Sequence, residues 1–328
     1  MANVYNGNIK LNIFGESHAP YIGASIDGLA PGIKIDIDKI KQDLARRRPN
    51  TNLSNARIEE DEFEIISGVN ETYTTGEELV ILIKNKVYDS SSYDNSLARS
   101  SHADYTNYVK SMGYANLNGG GARSGRMTAG LVAIGSIAKS ILEAKGLIFK
   151  SECLIEESLV KDALCKGDSI GAKVSLSVLG IEAGIGEPFF DSIESVFSHL
   201  AFSIPGVKAI EFGLGTGFDH AYASNVNDQF SVEEGRITTK TNNNGGINGG
   251  VSNGMPINCM ITFKPTPTIK LEQSMLNLNT NEVELASYSG KHDACIALRC
   301  GVILECVMAL ALLDLYSARY GYLWMNER

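Results

Sequence analysis

The sequence predicts an α+β fold, in one domain spanning residues 1–328. Three observations carry this. Short strand-like runs come in groups with brief links, helical patterns do not alternate with them one for one, and two long stretches are apolar around most of a helical circumference. Regular strand–helix alternation would mark a doubly wound parallel sheet instead. No repeat and no low-complexity linker divides the chain.

Residues 9–14 and 22–26 read as two strands joined by the turn Gly15-Glu16-Ser17-His18. Ile37, Ile40 and Leu44 share one helix face, and that helix delivers Arg46, Arg47 and Arg48 to its C-terminal end, where cations are favoured, before Pro49 stops it. Residues 62–67 and 79–84 are strand-like, while Tyr105, Tyr108, Val109 and Met112 recur at helical spacing. Residues 127–144 form a helix buried on nearly every side. The second half adds strands at 172–179 and 257–263, a helix at about 191–200, and a long apolar helix at about 294–316. Gly290-Lys291-His292-Asp293 stands before that last helix, with Asp293 either its N-cap or a base. Arg299 and Glu305 inside the apolar stretch, with no anchor pattern on its flanks, argue against a membrane span.

A hydrophobic content of 44% supports a sizeable core, and a net charge of −9 disfavours nucleic acid and anionic membranes as partners. The polar N-terminus has no apolar signal-peptide core, so a cytoplasmic location is the expectation. Six cysteines lack paired two-residue spacing. That excludes zinc and disulfide frameworks, and no metal is expected; they read as buried thiols.

Chemistry concentrates in a few loops. His18 sits beside Ser17 and Glu16 on the turn between two strands, where an imidazole can give or take a proton near neutral pH. His102 precedes a helix, with Asp104 in its first turn. Residues 118–128 run from three glycines through Arg123, Ser124 and Arg126 into the buried helix, a ready anion site. Gly120 and Gly125 have P-loop separation, but Arg126 and Met127 replace the lysine and the hydroxyl, which rejects an NTPase. Residues 213–217 imitate part of a dinucleotide fingerprint without its helix and read as a turn; a generic NAD- or NADP-dependent oxidoreductase rests only on such glycine strings. The glycine-rich residues 242–254 and the stiff run Lys264-Pro265-Thr266-Pro267-Thr268 frame a binding wall. His199 and His220 read as structural or exposed. Two loop histidines, an arginine cluster, two glycine loops and a loop aspartate are the inventory of an acid–base site for an anionic substrate.

Taken together these strings resemble the chorismate synthase family, in the family's order over nearly the whole chain. They are residues 15–18 with 26–28, 46–49, 67–69 with 74–76, 102–106, 119–128, 203–208, 245–254, 264–268 and His292-Asp293. The resemblance implies a helical core sandwiched between antiparallel β-sheets, assembled as a homotetramer. It implies a lyase of the shikimate pathway that converts 5-enolpyruvylshikimate 3-phosphate to chorismate by anti 1,4-elimination of phosphate, with reduced FMN (FMNH2) as cofactor. NADP enters only as a source of electrons for that flavin. By matching position, His18 would protonate the departing phosphate and His102 the reduced flavin near N1. Asp293, with Ser17 and Ser124 in relay, would help flavin N5 take up the substrate proton. Arg46, Arg47, Arg48, Arg57, Arg126 and Lys291 would clamp the substrate's anionic groups. Flavin contacts would come from Ala122, Arg123, Ser124, Pro205, Gly206, Gly249, Lys264, Pro265, Thr266, Pro267, Thr268 and Lys291. The chain departs from the family pattern at Ala19, Leu53, Ala122-Arg123, Met127 and Lys291. Those departures leave a non-catalytic flavin- or anion-binding relative as the alternative reading.

Overall fold

The structure, a computed structural model, describes residues 3–49, 53, 59–86, 94–288 and 293–326. Two antiparallel sheets enclose a layer of helices. The first sheet has five strands in the order Val4–Asn6, Lys10–Gly15, Tyr21–Asp27, Leu79–Lys84 and Phe63–Ser67. Its register sets Ile22 against Ile83, Ala24 against Ile81 and Ile26 against Leu79, and all six are buried. The second sheet orders Val207–Phe212, Ile257–Phe263, Ala172–Leu179 and Ile148–Leu154. Residues 257–263 alternate strictly between buried and half-buried, the period-2 signature of a strand with one face on a core.

The helices are α1 (Ile37–Arg46), α2 (Asp104–Lys110), α3 (Thr128–Ala144), α4 (Glu157–Cys165), α5 (Ile193–Ala201), the single turn α6 (Ala223–Val226) and α7 (Gly301–Tyr320); α3 and α7 pack together at the centre between the sheets, with α1 against α3 and α5 against α7. Asp36 caps α1 by accepting the Lys39 N–H at 2.9 Å, and Ser192 caps α5 in the same way. The helices α3 and α7 approach closely because Gly135 lacks a side chain: a Cβ there would stand 2.5 Å from the Cys306 Cβ and 2.9 Å from its carbonyl oxygen. The helical stretch Gly125–Ala144 that contains α3, and α7, are long and apolar enough to cross a membrane, but 83% and 89% of their most apolar windows are buried inside the fold.

Charge inside this layer is paired. Lys139 of α3, 2% exposed, donates to Asp43 and to Glu305 of α7, both at 3.0 Å. Glu305 also takes two 2.7 Å bonds from Arg46 and one of 2.6 Å from Ser151. That network is why Glu305 stands in an otherwise apolar helix.

The last helix differs from its expected span. Cys295 is extended and Ile296–Arg299 is a 3-10 turn, so regular α-helix begins only at Gly301; it runs on to Tyr320 and ends at Gly321, with φ of 78°. Asp293 is therefore not its N-cap. Nor are all six thiols buried: Cys165 is exposed at the end of α4, a surface helix that buries only Val160 and Ala163, and Cys153 is half-buried.

Candidate active site

The turn at His18 is held from three sides. The Ser17 N–H donates to the Gly121 carbonyl at 3.2 Å, and its hydroxyl donates to the Gly119 carbonyl at 3.4 Å. Asn85 donates to the carbonyls of Glu16 and Ala19, and Asn116 donates to the Glu16 carboxylate. Three consecutive glycines, Gly119, Gly120 and Gly121, carry φ of 60°, 87° and 54°, a path that side chains rarely follow. A Cβ on Gly119 would overlap the His18 imidazole, and one on Gly120 would lie 3.3 Å from Cε1 of His102. The glycine run thus brings the two loop histidines to adjacent residues. Ser124, on the same run, caps the next turn by accepting the Arg126 N–H.

His102 lines a cleft of about 650 Å3. Ala122, Arg123, Ser124, Pro205, Gly206 and the whole run Lys264-Pro265-Thr266-Pro267-Thr268 line it too, joined by Met127, Leu131 and Ile296. Lys264 donates to the Ser101 carbonyl at 2.5 Å, and burial together with nearby Lys208 pushes its ammonium below the usual lysine range. The Thr266 hydroxyl in this wall is buried with no hydrogen-bond partner among the described residues. His199, expected to be structural or exposed, is exposed on α5, where it also lines the cleft edge-on to Tyr5 at 5.5 Å. Gly249 is not among the lining residues: residues 242–254 fold into the hairpin Ile247–Asn248 with Val251–Ser252, and Gly249 is exposed at its tip. Asp228 frames this loop by accepting from the Asn243 and Asn244 amides and the Thr241 hydroxyl.

The three contiguous arginines do not form one clamp. Successive residues around the end of a helix point about 100° apart, and each guanidinium goes its own way. Arg46 is committed to Glu305 and Asp43. Arg48 donates to the Glu60 carbonyl and lines a separate groove between α1 and Phe63. Arg47 alone turns inward, 4% exposed, and meets Asp61 at 2.9 Å. Asp61 also receives Arg126, whose Nε donates to Asn85 at 2.9 Å. Arg299 lies near enough to act on Arg47 electrostatically and pairs with Asp293 at 2.6 Å. Three guanidiniums against two carboxylates leave one positive charge in excess. Burial opposes the charge on Asp61, but Arg47 and Arg126 outweigh it and hold the carboxyl below its usual range. Burial and the neighbouring guanidiniums push Arg47 down, and its Nε has no hydrogen-bond partner among the described residues.

Sequence reasoning missed Asp61, Arg299 and Arg99. Asp61 stands in the acidic run 59–62, just ahead of the strand-like residues 62–67, with no motif to mark it. Arg299 carried a signal, since a charge inside a buried apolar stretch must find a partner. Arg57 and Lys291, expected to bind substrate, and His292 lie outside the described residues.

Fold and site define an α+β enzyme whose histidine-lined cleft neighbours a buried, net cationic cluster. The family model described as chorismate synthase matches residues 9–155 and 150–316. Chorismate synthase of Chitinophaga pinensis is 39% identical, covering 95% of this chain and 96% of its own length. That of Pyrococcus abyssi is 38% identical, covering 93% and 95%. A crystal structure of chorismate synthase superimposes with a TM-score of 0.73 at 21% identity, over 95% of this chain and 93% of that one, which supports the fold. The chain belongs to the chorismate synthase family, and it is a lyase of that kind.

Proposed function

We propose that this enzyme eliminates phosphate from 5-enolpyruvylshikimate 3-phosphate to give chorismate, with reduced FMN held in the cleft. The observation that carries the reading is the convergence of His18, His102, Ser17 and Ser124 on one glycine turn beside an excess of buried guanidinium charge.

The residues of the cleft fit a flavin mononucleotide. Its volume lies within the usual range of small-molecule sites. Leu131, Pro205, Pro265 and Ile296 supply apolar faces for a flat ring, Lys264 and Arg123 supply cations for a phosphate, and the orphaned Thr266 hydroxyl needs a partner. Although the family's Arg-Ser pair is Ala122-Arg123 here, a guanidinium still stands on the cleft wall. Reduced flavin supplies electron density for the elimination without net redox change.

Arg47, Arg126 and Arg299 bind the substrate's anionic groups, with Arg57 and Lys291 as further contributors. His18 gives a proton to the departing phosphate oxygen, and His102 holds one at the cleft. Asp293, with Ser17 and Ser124 in relay, moves the proton lost from C6. What supports the last assignment is that the Ser17 hydroxyl bonds to the Gly119 carbonyl, that Ser124 packs against Gly120 and that Asp293 pairs with Arg299.

The homotetramer belongs to the same reading. Supporting it is the apolar surface at Phe189, Phe190, Phe230 and Ile237, which are 85%, 90%, 77% and 71% exposed. The continuous core that spans both sheets supports a single domain.

An anaerobic assay with photoreduced FMN tests the activity. Chorismate and inorganic phosphate should appear together, in equal amounts, and only with the reduced cofactor. Flavin and substrate binding without either product would leave the non-catalytic alternative standing.

A further inference from the structure

One buried side chain outside the expected site reaches two parts of it. Arg99, 6% exposed, grips Asp104 through Nε at 2.7 Å and Nη2 at 2.9 Å, and its backbone N–H reaches the same carboxylate at 3.1 Å. Asp104, 3% exposed, takes Nδ1 of His102 at 2.6 Å. The remaining Nη1 of Arg99 donates to the Thr268 hydroxyl at 3.2 Å, at the end of the proline-stiffened cleft wall. The face of the guanidinium lies 5.2 Å from the centre of the Tyr288 ring, five residues before Asp293. A tight turn with Ser101 at φ of 57° returns the His102 N–H to the Arg99 carbonyl, so backbone and side chains fix the same geometry.

We infer that Arg99 and Asp104 are positioning residues that lock His102 as the Nδ1–H tautomer and leave Nε2 as its proton-exchanging atom beside Gly120. The inference deepens the proposed function, but its physical basis is independent of the substrate. A carboxylate with no proton of its own can only accept, so the imidazole must carry its hydrogen on Nδ1. Burial opposes the charge on Asp104, yet hydrogen bonds from His102 and Arg99 outweigh it and hold the carboxyl well below the usual carboxylate range. The acceptor is therefore ionised at every pH at which the enzyme would work. Arg99 satisfies both carboxylate oxygens and the wall in one rigid fork, which a lysine cannot do. Aim of the imidazole and position of the Lys264–Thr268 wall are thereby set by the same group.

The test is the 15N spectrum of histidine-labelled protein, with the His102 signals assigned by their loss in His102→Gln. In the unliganded wild type the neutral ring should show a pyrrole-like Nδ1 and a pyridine-like Nε2, the reverse of the tautomer preferred by a free side chain. Asp104→Asn should shift the ring toward Nε2–H and lower kcat about tenfold or more with KM little changed. Thr268→Val, which removes only the wall contact, should keep the Nδ1–H tautomer. An Nε2–H signal in the wild type overturns the inference whether or not Asp104→Asn folds, as does an Asp104→Asn protein with an unaltered tautomer. If the Nδ1–H signal is found in a protein that makes no chorismate, the proposed reaction fails and the relay stands.

Discussion

Single residues divide into those whose role follows from local sequence and those whose role depends on a distant partner. His18, His102 and Ser124 were legible because turn chemistry and a glycine run mark their places, and three separate loops bring them together around Gly119 and Gly120. Arg46 belongs to the second kind, because adjacency in sequence is not adjacency on a helix: its ion-pair partner Glu305 lies 259 positions away. That pair makes a prediction. Burial opposes the charge on Glu305, but bonds from Arg46 and the charge of Lys139 outweigh it and hold the carboxyl below its ordinary value of 4.5. A carboxyl depressed in the folded state contributes stability that is present above its unfolded value and lost as pH falls through the folded one. Thermal unfolding should hold steady down to about pH 5 and weaken below it. Glu305→Gln should cost about 3 kcal/mol near pH 7 and flatten part of the acid-side loss. Melting temperatures across pH for both proteins check this, and an unchanged acid limb in the variant would count against the network.

At the scale of elements, periodicity was a sound guide where one face meets a core. The strands Leu79–Lys84, Ala172–Leu179 and Ile257–Phe263 and the helix α3 fall where the apolar pattern puts them. The start of α7 was not legible, because residues 294–299 are as apolar as the helix they precede while the Asp293–Arg299 pair holds them in another conformation. Within the glycine-rich residues 242–254, read as a binding wall, Ile247–Asn248 pairs with Val251–Ser252, while Asp228 accepts from the Asn243 and Asn244 amides just ahead of that hairpin. The contact between α3 and α7 yields a sharper test. Gly135→Ala should destabilise the protein by about 1–3 kcal/mol, since the added methyl meets the Cβ and the main chain of Cys306. Adding Cys306→Ala should not restore it, because that change removes only the sulfur. Urea unfolding of the single and double variants decides, and rescue by the second change would show the helices packed otherwise.

For the whole molecule, composition and pattern gave the α+β class, while the layering of two sheets around helices came only with the family resemblance. Strand order is set by pairings between distant segments, such as Tyr21–Asp27 beside Leu79–Lys84 in the first sheet and Val207–Phe212 beside Ile257–Phe263 in the second, that no local pattern encodes. The same layering explains how a chain of net charge −9 presents a cationic site: Arg47, Arg126 and Arg299 are drawn inward from α1, the α3 entry and the segment before α7 onto two buried carboxylates. The central claim is that this enclosed site performs acid–base elimination with His18 as the proton donor. It is tested most directly by comparing His18→Ala with the wild type under anaerobic conditions, measuring turnover and reduced-flavin affinity on the same preparations. The account predicts a turnover loss of about 100-fold or more with flavin affinity essentially retained; a variant that turns over at the wild-type rate would contradict it.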